Sequence, residues 1–386
     1  HISMQIRSIG FPRMHKEPGE VRDFLPRLLR RLAPLAREVV VEEGAGRAMG
    51  LEPADYLAVG PNVHLSTNQA CYDQDIVVQV RSPEDEELAQ MKPGTILFSM
   101  LHFNTHPGRV RLMQDLGLIP IAMDSVVDDD GVRLIEYIRG TSWNAIWAGF
   151  RALRKTRPDF FEAPHNAPIR VLIVGAGSVG RYAAEAAAKH GDEALTEDPA
   201  SACVTPVIAS LIERSVTCNE DLLTAEMRRA DMFVDATARR DPTQYIFRNA
   251  LLGHLPEHAV VVDLAADPYI NLRPGSLQVK AVEGIPTGDL NTYEFPPDDP
   301  AFDALPEGVD TRVRRMTVSC YSWPGIKPLT CMRRYGRQVQ PFLEILLQKS
   351  LGALSLEDGD YFERALVRAT LSHWLDHRGG TSAETE

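Results

Sequence analysis

The chain has 386 residues, more than one hydrophobic core normally organises, so two domains are expected. Its 44% hydrophobic and 24% charged residues exclude global disorder, and 27 glycines with 27 prolines call for many turns without a collagen-like or low-complexity pattern. A formal net charge of −12 speaks against nucleic acid and anionic membranes as partners, and no apolar run reaches the length of a membrane span.

His1-Ile2-Ser3-Met4 reads as an expression scar before a native Met4, with no signal peptide after it. Ser8–Phe11 is a short apolar start. Phe24, Leu25, Leu28, Leu29, Leu32 and Leu35 recur at helical spacing under a basic face of Arg27, Arg30 and Arg31. Val39–Val41 predicts a strand, and Gly44-Ala45-Gly46 a turn. Further strands are predicted at Ile76–Val80, Thr95–Leu101 and Leu118–Ala122. Strands alternating with helices imply parallel βαβ units.

Arg154–Pro168, rich in proline and basic residues, is the candidate boundary region. A second series begins with the strand Ile169–Val174, followed by an alanine-rich helix over Arg181–Lys189. Strands at Met232–Ala236 and Ala259–Asp263 come next, and amphipathic helices at Val339–Leu354 and Tyr361–Trp374 close the pattern. The polar tail from His377 onward is expected to fray. The five cysteines are scattered, odd in number and without a CxxC pair, which opposes a disulfide scaffold and a structural zinc. The whole reads as a cytoplasmic α/β protein of two Rossmann-like domains with parallel sheets and a cleft between them.

Gly175-Ala176-Gly177-Ser178-Val179-Gly180 fits GxGxxG between a strand and a helix. The first glycine suits a tight turn, the second lets the backbone approach a pyrophosphate, and the third permits close helix–strand packing. Thr237 and Ala238, after the strand at 232–236, join the candidate cofactor contacts. Asp198 is the candidate for the ribose hydroxyls; if the second strand is instead Cys203–Ser210, its end offers Glu213 and Arg214, and Arg214 suits a 2′-phosphate. NAD is preferred, with NADP left open.

Chemical groups stand at strand ends in this reading: Arg81 after Ile76–Val80, His102 after Thr95–Leu101 and Asp267 beyond Asp263, with Arg22 near the start. Hydride transfer on an amino or keto acid needs a cation for the carboxylate and an acid/base near neutrality. His102 and His106 are four apart, but Pro107 follows and no carboxylate joins them, so no metal is expected.

These segments resemble the family of alanine dehydrogenase and the lysine-forming saccharopine dehydrogenase, with the related transhydrogenase nucleotide domain. Ile9-Gly10-Phe11-Pro12 with Glu20-Val21-Arg22 is similar to the family's opening. Val41–Gly46 resembles its VExGAG segment, Leu97–His102 its LFxxLH and Val262–Asp267 its VDxAxD. Asp130–Arg133 leading into Thr141–Leu153, and Tyr321–Pro328 with Gln340–Leu343, look more like the saccharopine branch.

The resemblance implies His102 as the catalytic histidine, Arg22 as the substrate-carboxylate arginine and Asp267 as an aspartate near the nicotinamide. Arg81 occupies the place of the family's lysine; arginine clamps a carboxylate but does not serve as a base. Tyr321 falls where the saccharopine branch carries an acidic residue. The resemblance also implies a nucleotide domain, 149–327, inserted in a discontinuous substrate domain, 1–148 and 328–386. The expected activity is NAD(P)-dependent oxidation at the C–N bond of an N-substituted amino acid, giving a primary amine and a 2-oxo acid, or the reverse. The alternatives are alanine-type oxidative deamination and a transhydrogenase-like or non-catalytic nucleotide-binding subunit. Homo-oligomerisation is compatible with the family.

Overall fold

Runs of valine and isoleucine three to six residues long, separated by helices, build two parallel sheets in the computed structural model, which describes residues 5–162, 167–191, 205–213 and 218–381. The chain divides into two units. One comprises the chain up to Lys16, Glu20–Tyr137 and the chain from Pro328 onward; the other comprises Glu17–Gly19 and Ile138–Lys327.

The first unit holds β1 (Ile9–Phe11), β2 (Val39–Glu42), β3 (Val63–Ser66), β4 (Ile76–Arg81), β5 (Ile96–Met100) and β6 (Ile119–Ala122). Their order is β3-β2-β1-β4-β5-β6, all parallel. The order reverses between β1 and β4, and ligands of such sheets bind outside the carboxyl ends at that switch. One face is covered by the helices Pro26–Leu32 and Pro328–Gln348, whose Leu28, Leu29, Phe342, Leu343 and Leu346 pack with Val39, Val78 and Phe98. The latter helix begins eleven residues before the predicted Val339, since Leu329, Cys331, Met332 and Tyr335 continue its apolar stripe across the proline-rich entry. The predicted helix at Tyr361–Trp374 is two helices, Tyr361–Arg368 and Leu371–Thr381, and the second runs on past the expected fraying point.

The second unit holds β7 (Ile169–Val174), β8 (Val207–Ile212), β9 (Met232–Asp235), β10 (Val260–Asp263), β11 (Ile270–Arg273), β12 (Ser276–Gln278), β13 (Glu294–Phe295) and β14 (Met316–Ser319). The main sheet runs β13-β14-β10-β9-β7-β8, parallel except for β13, while β11 and β12 form a separate hairpin. Its switch lies between β7 and β9. The helix Ile138–Thr156 is continuous, and its Trp143, Ile146, Phe150 and Leu153 share a core with Val171, Ile173, Met232 and Val260. The domain boundary therefore falls at residue 138 rather than at 149: cutting at 149 would divide one helix whose buried stripe serves a single sheet.

Candidate functional site

β7 ends at Val174, and the loop that follows is shaped by its glycines. Gly175 has φ +121°, and a Cβ there would lie 2.3 Å from the Ala236 carbonyl oxygen. A Cβ on Gly180 would lie 1.8 Å from the Gly175 oxygen, so helix and loop touch backbone to backbone. Gly177 caps the helix Ser178–Ala188 and a Cβ there meets nothing within 4 Å. Ala176, Gly177 and Ser178 are exposed and Val179 is half-buried. An open cradle of backbone amides at the N-terminus of an eleven-residue helix fits an anionic pyrophosphate. Thr237 and Ala238 follow β9 on the other side of the switch.

The second strand runs Val207–Ile212, next to the glycine loop. β8 pairs with β7 so that Ile212 stands beside Val174, and the Gly175 amide donates to the Ile212 carbonyl at 3.1 Å. Glu213 is thus the first residue beyond β8, exposed, beside the glycine loop. Asp198 and Arg214 lie outside the described residues.

Behind the loop sits a buried ionic cluster that the sequence reading did not assemble. Asp263, at the end of β10, takes Lys280 Nζ at 2.6 Å, the Ser319 hydroxyl at 2.8 Å and the Ala266 amide at 2.9 Å. Asp235, its register partner on β9, accepts the amide and hydroxyl of Thr237 at 3.1 and 2.5 Å. Asp267 is different: it is half-exposed and paired with Arg239 at 2.9 Å. Tyr321, half-buried, follows β14 and its amide donates to Gly288.

In the first unit His102 follows β5 in the left-handed region, φ +47°. Its amide donates to Asp124 Oδ1 at 3.1 Å, and its Nδ1 stands 3.5 Å from Asp124 Oδ2. Asp124 follows β6 and is largely buried, while the imidazole is half-exposed. The ring contact is at ion-pair rather than hydrogen-bond distance, and it attracts when the imidazole carries a proton. Sequence reasoning missed Asp124, which lies 22 residues away and meets His102 only because β5 and β6 are neighbours. Arg81 closes β4 half-buried, its amide donating to Met14 Sδ at 3.2 Å. His106 titrates below the ordinary histidine value, through burial and then the nearby Arg109 charge. Among the described residues no three His, Cys, Asp or Glu side chains are placed to hold a metal.

Arg22 departs from its expected setting. It lines a small pocket at the β1/β4 switch with Pro12, Met14, Gln79, Val80 and Met332, but its guanidinium is 3% exposed and gripped by Glu20, itself 1% exposed. Nε stands 3.1 and 3.0 Å from the two Glu20 oxygens, and Nη2 2.6 Å from one of them. Burial disfavours the charge, yet the Glu20 carboxylate more than restores it. Nη1 lies 3.8 Å from Cys331 Sγ, so every nitrogen of the fork has a partner, and a substrate carboxylate would reach Arg22 only in competition with Glu20.

Comparisons with known proteins agree with this architecture. Residues 16–138 match the family model described as alanine dehydrogenase/PNT, N-terminal domain, and residues 151–273 the corresponding C-terminal domain. Alanine dehydrogenase of Halomonas elongata is 25% identical over 251 residues, 62% of this chain and 67% of that protein. Alanine dehydrogenase of Bacillus subtilis is 25% identical over 298 residues, 74% of this chain and 76% of that protein. NAD(P) transhydrogenase subunit alpha of Haemophilus influenzae is 28% identical over 191 residues, 47% of this chain and 36% of that protein. Among solved structures, an L-alanine dehydrogenase shares the fold with a TM-score of 0.68 at 20% identity over 94% of each chain. The transhydrogenase from Sinorhizobium meliloti gives 0.59 at 18% over 88% of this chain and 94% of that one. Two α/β units with parallel sheets, a glycine cradle in the second, and matches that together span more than half of the sequence give one conclusion: the chain carries both domains of the alanine dehydrogenase/PNT family.

Proposed function

We propose that the protein is an NAD-dependent dehydrogenase acting on the CH–NH2 group of an amino acid, in the manner of the alanine dehydrogenases it resembles. The observation that carries this reading is the juxtaposition of His102 and Asp124, 3.5 Å apart at a strand end of a chain whose other unit holds a glycine cradle fit for a dinucleotide. A unit that only bound nucleotide would have no use for such a pair.

NAD held on the glycine cradle would supply the acceptor for the hydride that leaves the substrate α-carbon. The chain's own residues do the rest. His102, beside the Asp124 carboxylate, takes a proton from the attacking water as the imine hydrolyses to the 2-oxo acid and ammonium. Arg81, in the place of the family's lysine, holds the substrate carboxylate as a fixed cation. The glycine cradle and the helix N-terminus at Ser178 hold the pyrophosphate, and Glu213 meets the adenosine ribose hydroxyls, which selects NAD over NADP. Asp267 and Tyr321 stand at strand ends of the second sheet as further contacts.

A secondary-amine substrate is the second reading. The one feature in its favour is Arg81, whose fork suits a more extended carboxylate pattern than a lysine does. The relatives described above are alanine dehydrogenases and a transhydrogenase subunit, so primary amino acids come first. The test is absorbance at about 340 nm with NAD and a panel of primary and N-carboxyalkyl amino acids. Reduction with a primary amino acid supports the proposal, reduction only with N-substituted ones replaces it by the second reading, and silence across the panel with NADH bound refutes both. His102→Gln should lower turnover at least about 100-fold and leave NADH binding intact; turnover within a few-fold would remove His102 from the mechanism.

A further inference from the structure

Asp235 has no role in the chemistry above, yet it is a fully enclosed carboxylate beside the glycine loop, as buried as Asp263. It ends β9, is 1% exposed and stands in register with Asp263 on the neighbouring strand β10. Its Oδ1 accepts both the amide and the hydroxyl of Thr237. The residue between them, Ala236, presses its carbonyl against Gly175, so the 235–237 turn and the first glycine form one wall.

The charged groups facing Asp235 are few. On β10 there is Asp263, neutralised by Lys280, which is 1% exposed. Beyond β10 there is Asp267, paired with Arg239. Thr237 supplies the bonds that favour the anion. Burial first, and the Asp263 charge second, push the Asp235 carboxyl up to about 7. Near neutrality the Asp235–Asp263–Lys280 cluster thus passes between neutral and singly negative.

We propose that Asp235 is a positioning residue of the dinucleotide site that ties cofactor affinity to pH, through a charge that appears behind the wall facing the pyrophosphate. The inference rests on the reading of the second unit as an NAD site. A protonated carboxyl still accepts both Thr237 bonds through Oδ1, so the turn keeps its shape in either state. What changes is the electrostatics. An ionised Asp235 adds a negative charge that no cation among the described residues pairs, in a dry surrounding, against an incoming ligand that carries two phosphate charges. Affinity therefore falls as pH rises through neutrality. A displacement of one pH unit in the titration on binding corresponds to about a tenfold change in affinity.

The experiment is a fluorescence titration of the full chain with NADH at pH 6 and pH 8.5, which reads binding without turnover. Wild-type affinity is expected to fall about tenfold between the two, while Asp235→Asn binds at both as tightly as wild type does at pH 6. Thr237→Val gives a second readout independent of that variant's folding. Loss of a bond that favours the anion moves the midpoint of the wild-type pH profile upward, whereas a turn with a merely structural role would lose affinity equally at all pH. A wild-type profile without slope, an Asp235→Asn slope equal to wild type, or an unmoved Thr237→Val midpoint overturns the proposal. Absence of NADH binding at every pH would instead bring down the dinucleotide reading itself.

Discussion

Replacing Lys280 by methionine probes the ionic cluster most sharply. Lys280 and Asp263 are each 1% exposed and 2.6 Å apart, so methionine fills the space of the lysine stem but leaves a carboxylate with no countercharge. Removing one partner of a buried pair costs about 3–5 kcal/mol. Asp263 keeps the Ser319 hydroxyl and the Ala266 amide, which places the loss at the lower end, about 3 kcal/mol. For a domain of this size each kcal/mol lowers the melting temperature by about 2–4 °C, so calorimetry at pH 8 should show a drop of about 6–12 °C. Asp263→Asn combined with Lys280→Met removes the stranded charge and should recover most of the loss. A single variant within about 2 °C of wild type, or a double variant less stable than the single, would refute the view that the pair is held by mutual neutralisation.

Gly177→Ala and Gly180→Ala should separate binding from folding. Gly177 has open space, so alanine there leaves the melting temperature within about 2 °C but weakens NADH binding, measured by fluorescence. Gly180→Ala drives a Cβ into the Gly175 oxygen and should lower both stability and binding. Glu213→Gln should narrow the preference for NADH over NADPH, read as a ratio of dissociation constants; an unchanged ratio would remove Glu213 from the ribose site. The raised Asp235 carboxyl also predicts a pH dependence of folding. Because the native state holds this proton above the ordinary aspartate range, wild type loses stability as pH rises from about 4 to 7, by up to about 1.4 kcal/mol per unit, and Asp235→Asn should not. Urea unfolding across that range checks it.

The sequence made the local features legible. GxGxxG needs only a strand before it and a helix after it, and both are adjacent in the chain. His102 stands out as a candidate because its segment is contiguous, but its neighbour Asp124 follows β6 and comes near it only through sheet order. The Asp235–Asp263–Lys280 cluster was invisible for the same reason: its members come from β9, β10 and the segment after β12, and nothing in their spacing declares that β9 and β10 pair in register. Arg22 shows the opposite case. Its partner Glu20 is two residues away, but its burial depends on Cys331 and Met332 of the helix Pro328–Gln348, far along the chain. Strands β3 and β14 escaped notice because VHLS and MTVS are too short and mixed to show a period. The saccharopine-like segments prompted a secondary-amine expectation, whereas the curated relatives described above align this chain with alanine dehydrogenases.

The most direct test of the account is hydride tracing. The protein would be incubated with NAD and an amino acid deuterated at the α-carbon, and the reduced cofactor analysed by mass spectrometry. The account predicts one deuterium in each NADH formed, with the matching 2-oxo acid and ammonium as co-products. NADH without deuterium, or deuterium retained in an amine product, would contradict oxidation at the α-carbon of a primary amino acid.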